Sequence, residues 1–230
     1  MTTGRYMLGI DTSSRIGSIA LAVDGEAGPS LPLPPGGHSN GLSQAGESLL
    51  RARSIGWKDL AGVAVSEGPG SFTGLRIGLA WAKGICFGSR ARLTLVSAHA
   101  ANAHRHRGDG AWIATVLQGE RGEAQATLWS GGEDLARVWG PESVPEVELA
   151  AALRSAAAAR AIAIAGPDLK EGLLQALRED GFRILADAAR STAAAVAELG
   201  DRMLLAGEAA DLVTSAPAYG RAPNARKPAP

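Results

Sequence analysis

Asp11-Thr12-Ser13-Ser14 closes the first apolar run of the chain and offers its best arrangement for holding a charged ligand. A carboxylate beside hydroxyls and turn amides can hold a phosphate and its Mg²⁺. The plainer reading has Asp11 bonding the amides of its own turn, so Asp11, Thr12 and Ser13 are weak cofactor-binding candidates. Gly68-Pro69-Gly70-Ser71-Phe72-Thr73-Gly74 is glycine-rich, but no Lys-Ser/Thr follows as in a nucleotide P-loop. A helix beginning at Ser71 could still attract an anion. Ser71 has no base beside it and no Gly-x-Ser-x-Gly elbow occurs, which argues against a serine nucleophile. His38 is followed four residues later by Leu42, so the His-x-x-x-His pair of a helical metal site is absent. His99, His104 and His106 cluster, with His99 and His106 on one face of an expected helix, yet no carboxylate or cysteine stands at ligand spacing. Cys86, the one cysteine, lies in an apolar helical stretch and reads as a small buried hydrophobe. The expectation is no catalytic residue and no metal.

Gly74 and Gly78 fall one helical turn apart, and Ala82 continues the line. A glycine inside a helix costs roughly 1 kcal/mol against alanine, so two on one face imply a close neighbour. That neighbour is either another element of this chain or another chain. Phe72, Leu75 and Arg76 flank the strip and are the residue types that anchor interfaces. Spacing alone leaves both readings open.

The elements that position these residues follow from periodicity. Tyr6–Asp11 and Arg15–Val23 read as strands joined through the hairpin signal Asp24-Gly25. Prolines 29, 32, 34 and 35 confine the next segment to an edge strand or loop. Leu42, Ala45, Leu49 and Leu50 give a helix to about Arg53. Leu60–Val65 is a buried strand, Ser71 caps a helix to about Gly84, Leu93–Val96 is a strand, and Ser97 caps a helix. After a polar break at 107–110 come strands at 112–117 and 124–129, a helix at 146–159 and a strand at 161–165. A helix at 168–180, a strand at 182–185 and a helix at 192–206 complete the pattern. An antiparallel start followed by α/β crossovers predicts mixed sheets with helices on their faces.

The 230 residues hold 23 basic and 23 acidic side chains, with ten cations and six carboxylates in residues 1–105 and the opposite excess beyond. Neither half is basic enough to imply nucleic-acid binding by charge alone. No apolar run approaches the roughly 20 residues of a membrane span, no signal peptide is evident at the N-terminus, and one cysteine excludes an internal disulfide. A cytoplasmic protein is expected, with a first lobe at 1–107, a smaller second lobe at 108–215 and a largely disordered tail at 216–230.

Leu8–Ser14 (LGIDTSS), the His-Ser-x-x-Leu element at His38–Leu42 and Gly68–Ile85 (GPGSFTGLRIGLAWAKGI) occur in an order and separation that resemble the TsaB (YeaZ) family of bacterial tRNA threonylcarbamoyladenosine biosynthesis. Pro217-x-Tyr219-x-Arg221 resembles its C-terminal signature. The resemblance is strong over residues 6–100 and thin beyond. Where the family commonly has Asp-Ala-Arg-x-Gly-Glu, this chain has Gln118-Gly119-Glu120-Arg121-Gly122-Glu123. The resemblance implies an α/β, actin-like and sugar-kinase-like (ASKHA, RNase H-like) two-lobe fold. It implies a non-catalytic subunit that binds the catalytic subunit TsaD through first-lobe helices, joined by the ATPase TsaE. No intrinsic cofactor is implied, with ATP and Mg²⁺ used through partner subunits, tRNA met only within the complex, and a homodimer formed when the chain is alone. The interface so implied comprises His38, Leu42, Ala45, Leu49, Phe72, Thr73, Gly74, Leu75, Arg76, Gly78 and Leu79. An ATP-dependent phosphotransferase using Asp11 is the alternative, and a metallopeptidase is disfavoured.

Overall fold

The structure, a computed structural model, describes residues 4–34, 38–119, 121–185 and 192–219. β1 (Tyr6–Asp11), β2 (Ser18–Val23) and β3 (Glu26–Pro32) form an antiparallel meander, and β4 (Leu60–Gly68) and β5 (Arg92–Ser97) add parallel strands beyond β1. The resulting order is β3-β2-β1-β4-β5. β6 (Trp112–Gln118), β7 (Glu123–Trp129), β8 (Arg137–Pro145), β9 (Ile162–Ala165) and β10 (Arg183–Ile184) repeat the same order and directions as β8-β7-β6-β9-β10. The molecule is thus a duplicated fold whose two halves share a topology.

Local chemistry explains the elements. Asp24 and Gly25 both have positive φ, 53° and 88°, which matches a two-residue hairpin turn to the strand twist. β3 lies at the sheet edge, where its prolines need donate to no outer strand. Ser71 caps α2 (Phe72–Ser89), its hydroxyl accepting from Gly74 N at 3.2 Å. That helix runs beyond the expected Gly84 because Ile85 and Cys86 still face the core, and it stops at Arg90 in the left-handed conformation. β8 was not foreseen. Its run Trp139-Gly140-Pro141 has no alternation, and its pairing with β7 is irregular there.

Helices α1 (His38–Ala52) and α2 cover one face of the first sheet. The other face is covered by α6 (Thr192–Leu205), with α3 (Ala98–His104) beside it. α4 (Leu149–Ala157) and α5 (Glu171–Glu179) pack with the second sheet around Leu128, Leu149, Leu153 and Ile164. The position of α6 corrects the expected second lobe at 108–215: this late helix crosses back onto β1, β2 and β4, and Ala210 then bridges to Leu93 of β5. The reason is close packing. A Cβ on Gly9 of β1 would sit 2.6 Å from Ala197 N and 2.7 Å from its methyl, so only glycine beneath an alanine-faced helix fits. Ion pairing fixes the far end, where Arg5 Nε reaches Asp201 Oδ1 at 2.6 Å.

The expected disordered tail also needs correction over 216–219, which lie against α2 with Ala218 N donating to Glu67 O at 2.7 Å. Residues 220–230 lie outside the described residues. Gly9→Val should destabilise the protein by about 3 kcal/mol through overpacking. That corresponds to a melting midpoint about 6–12 °C lower, and an unchanged midpoint would show that α6 does not rest on β1.

Candidate functional site

The turn after β1 and the start of α2 form one construction. Thr12 Oγ1 donates to Gly74 O at 2.8 Å, and Ser71 N donates to Ser13 O at 2.7 Å. A Cβ at Gly74 would fall on the Thr12 carbonyl oxygen, and one at Gly78 on Thr12 Oγ1, nearer than unbonded atoms approach. The glycine strip therefore receives β1's own turn. That corrects the expectation for Gly74 and Gly78 as partner-facing residues, and Leu42, Leu75 and Leu79 are buried within the same half.

Asp11 is 1% exposed, its Oδ1 accepting from Ser13 N at 3.0 Å and Ser13 Oγ at 2.6 Å. Burial pushes its carboxyl above the usual carboxylate range, partly offset by those bonds and by the Arg105 charge. Asp11, Thr12 and Ser13 are thus committed to the turn, and that geometry favours the plainer reading over phosphate binding. Cys86 is buried in α2 and its thiol is pushed up to about 11, a range in which the thiolate nucleophile is scarce near neutrality.

The histidines part company. α3 ends at His104, so His106 does not extend the expected helical face. His99 Nδ1 and Trp129 Nε1 both lie 3.0 Å from Thr115 Oγ1, which donates to Thr127 O. That pattern makes His99 Nδ1 the protonated nitrogen of a neutral ring. His104 Nε2 meets Glu198 Oε2 of α6 at 2.9 Å, and Arg107 reaches the same oxygen at 3.1 Å. Among the described residues no group of three or more His, Cys, Asp or Glu side chains is placed to hold a metal ion.

α2 divides into three flanks. Toward the C-terminal segment, Arg76 Nε donates to Tyr219 Oη at 2.8 Å, its guanidinium lies 3.9 Å from the Phe72 ring centre, and Phe72 and Tyr219 rings are 4.8 Å apart. Lys83 Nζ donates to Ser215 O at 2.8 Å on the same flank. Toward α1, Trp81 Nε1 donates to Ser43 Oγ at 3.1 Å and packs edge-on against Trp57, while Ala45 and Leu49 are half-buried on the core. Between these flanks Thr73, Ala80, Gly84 and Phe87 face outward, with Phe87 86% exposed. An apolar groove lined by Trp57, Ile85, Gly84 and Gly88 adjoins them. Of the expected interface residues, Thr73 lies on this open stripe. Phe72, 53% exposed, and Arg76 hold the C-terminal segment, and His38 starts α1, its side chain lying outside the description. Ala80, Gly84 and Phe87 were missed. With half-buried Ile77 they continue from Thr73 at intervals of 4, 3, 4 and 3, a signal present in the sequence but cut short by ending the helix at Gly84.

Two mixed five-stranded sheets of equal topology, flanked by helices, define the actin-like, sugar-kinase-like class. The fold is similar to a ROK hexokinase from Thermus thermophilus, with TM-score 0.51 and 14% identity over 88% of this chain and all of that one. It is more similar to YeaZ from Pseudomonas aeruginosa, with TM-score 0.74 and 22% identity over 94% of this chain and 99% of that one. In sequence it is 28% identical over 155 residues to the tRNA threonylcarbamoyladenosine biosynthesis protein TsaB of Escherichia coli (strain K12), covering 61% of this chain and 64% of the relative. The match thus spans under two thirds of that relative. The family described as TsaD, tRNA N6-adenosine threonylcarbamoyltransferase, matches residues 36–138. In motifs and in fold the chain is thus similar to proteins named TsaB and YeaZ. Among the described residues no helix is long and apolar enough to cross a membrane.

Burial holds the His99 pKa down to about 4 against 6.5 in the unfolded chain. Between those values the unfolded state binds more protons, so the His99 contribution falls as pH drops through 6.5 and is fully lost below about 4. That loss is about 3 kcal/mol. Denaturant titrations at pH 7 and pH 4.5 should show a smaller acid loss in His99→Gln than in the parent. Equal losses would mean that His99 ionises freely in the fold.

Proposed function

We propose that this chain is a non-catalytic subunit of the assembly that forms N6-threonylcarbamoyladenosine in tRNA, and that it binds a TsaD-type threonylcarbamoyltransferase through α1 and α2. The observation that carries the reading is the open stripe of α2. Thr73, Ile77, Ala80, Gly84 and Phe87 recur at 4-3-4-3 spacing, the period that seats one helix against another. Small residues at Ala80 and Gly84 let a partner helix approach closely, and exposed Phe87 supplies a large apolar anchor beside a groove. The name of the Escherichia coli relative and the TsaD family match supply the biological context.

On this reading ATP and Mg²⁺ are handled by partner subunits, with a TsaE-type ATPase completing a cytoplasmic assembly. The same stripe pairs two copies of the chain when the partner is missing. Asp11 serves the turn rather than a metal phosphate.

Ala80→Arg and Phe87→Glu change exposed side chains, so melting midpoints should stay within about 2 °C of the parent. Capture of the cognate TsaD-type protein should weaken at least about thirtyfold, and modified tRNA should fall in a complementation strain. Unaltered capture by both folded variants would sink the assignment of this face.

A further inference from the structure

The groove at the C-terminal end of α2 is a hollow of about 440 Å³, lined by Trp57 and Ile85 with Gly56, Lys58, Gly84, Gly88 and Ser89. Its lining is mostly apolar, and the Ser89 hydroxyl is already spent on Ile85 O at 2.7 Å and Ala91 N at 3.2 Å. Gly84 and Gly88 differ from the other glycines of this helix. Thr12 fills the space at Gly74 and Gly78, whereas a Cβ on Gly84 or Gly88 would meet nothing within 4 Å. Neither has a positive φ. No backbone demand and no neighbour in this chain therefore explains two residues that weaken a helix relative to alanine. Because Gly84 also belongs to the open stripe of α2, the hollow continues that face.

The rim of the hollow is positive. Lys58 lines it, exposed Arg90 follows Ser89 at its end, and among the described residues neither forms an ion pair. Residues 71–90 contain no carboxylate, and residues 38–59 contain only Glu47 and Asp59. Asp59 Oδ2 is engaged by Gly56 N at 2.7 Å.

We propose that the hollow receives an amphipathic helix of the TsaD-type partner, with a large apolar side chain over Gly84 and Gly88 and flanking carboxylates opposite Lys58 and Arg90. The identity of the partner rests on the proposed function, while the chemistry asked of its helix rests on the hollow. A second copy fits less well, since a two-fold contact through this face brings two sets of the same uncompensated cations to one interface. RNA would answer the cations but leave the apolar space unused. Trp57 is half-buried against Gly46 and edge-on to Trp81, so it is not a free stacking platform for bases.

Two variants of the full chain test this, Gly88→Leu to fill the hollow and Lys58→Glu/Arg90→Glu to reverse its rim. A leucine in open space on a helix should leave the melting midpoint equal or higher, and the exposed charge changes should keep it within about 2 °C. Binding of the cognate TsaD-type protein is followed by biolayer interferometry across a salt series. Gly88→Leu should weaken it about tenfold or more at every salt concentration. The charge variant should lose about tenfold near 50 mM salt, mainly in association rate, and come within about threefold of the parent near 500 mM. Unchanged binding in both folded variants would overturn the proposal, as would a loss in the charge variant that salt does not relieve. If Gly88→Leu abolishes self-association in sedimentation but leaves partner binding intact, the occupant is a second copy and the proposal falls. It falls equally if the charge variant loses affinity for a tRNA transcript and keeps the partner. Should Ala80→Arg and Phe87→Glu lose the partner while these two variants keep it, the proposed function stands and only this inference is lost. The reverse pattern keeps this inference and defeats the assignment of the stripe.

Discussion

The contact of Gly74 and Gly78 with Thr12 governs the first half of the molecule. It lets the backbone of α2 rest directly on the turn that ends β1, with the Thr12 hydroxyl answering the Gly74 carbonyl. Any side chain at either glycine would lift the helix away. Once α2 is held at that distance its rotation is fixed as well, because Leu79, Ala82 and Cys86 must enter the core while Leu75 is buried on the same side of the helix. The outward stripe is then the geometric complement of the buried one. A glycine motif that suggests an external partner thus works first as an internal bearing, and the open stripe is its reverse side.

The two halves are joined by helices that leave their own sheets. α3 carries His99 to Thr115 of β6 and His104 to Glu198 of α6, so one short helix makes buried polar contacts to both halves. α6 returns from the second half to roof the first, its alanine face pressed on Gly9 and its Gly200 on Ala64 and Thr94. Buried polar groups of this kind are costly unless paired, which makes their register demanding. Arg15 and Asp168 add a surface tie between the turn after β1 and the loop after β9. Exposed pairs contribute little on their own, so the joint rests on the helices.

How legible this was in the residues varied with the range of the contact. β1, the Asp24-Gly25 hairpin, β6 and β7 announce themselves through local alternation and turn chemistry, and the structure has them within a residue or two. β8 does not, since Gly140 and Pro141 erase its period. The destination of α6 was hidden for a different reason: an alanine-rich helix can pack on many surfaces, and only the missing side chain at Gly9, far away in sequence, selects one. For the candidate site, residue types were readable but direction was not. Phe72 and Arg76 look like interface anchors in sequence, and they are anchors, but for Tyr219 of the same chain. The polar break at 107–110 is visible, yet it could not reveal that the chain after residue 192 returns to the first sheet.

These corrections sharpen how α2 can serve more than one contact. On a helix, residues at positions 72, 76 and 83 share one flank and those at 81 and 85 share the other, because 3.6 residues complete a turn. The first flank is occupied by the segment from Ser215 to Tyr219, the second by α1 and Trp57. A partner helix laid along Thr73, Ala80, Gly84 and Phe87 would meet walls on both sides, which constrain its crossing angle more than a bare helix could. The C-terminal segment is therefore part of the frame of the open stripe, and loosening Tyr219 would widen that stripe without touching a residue on it. That arrangement follows from one helix being pinned by glycines on its inner side and shared between two neighbours on its outer side.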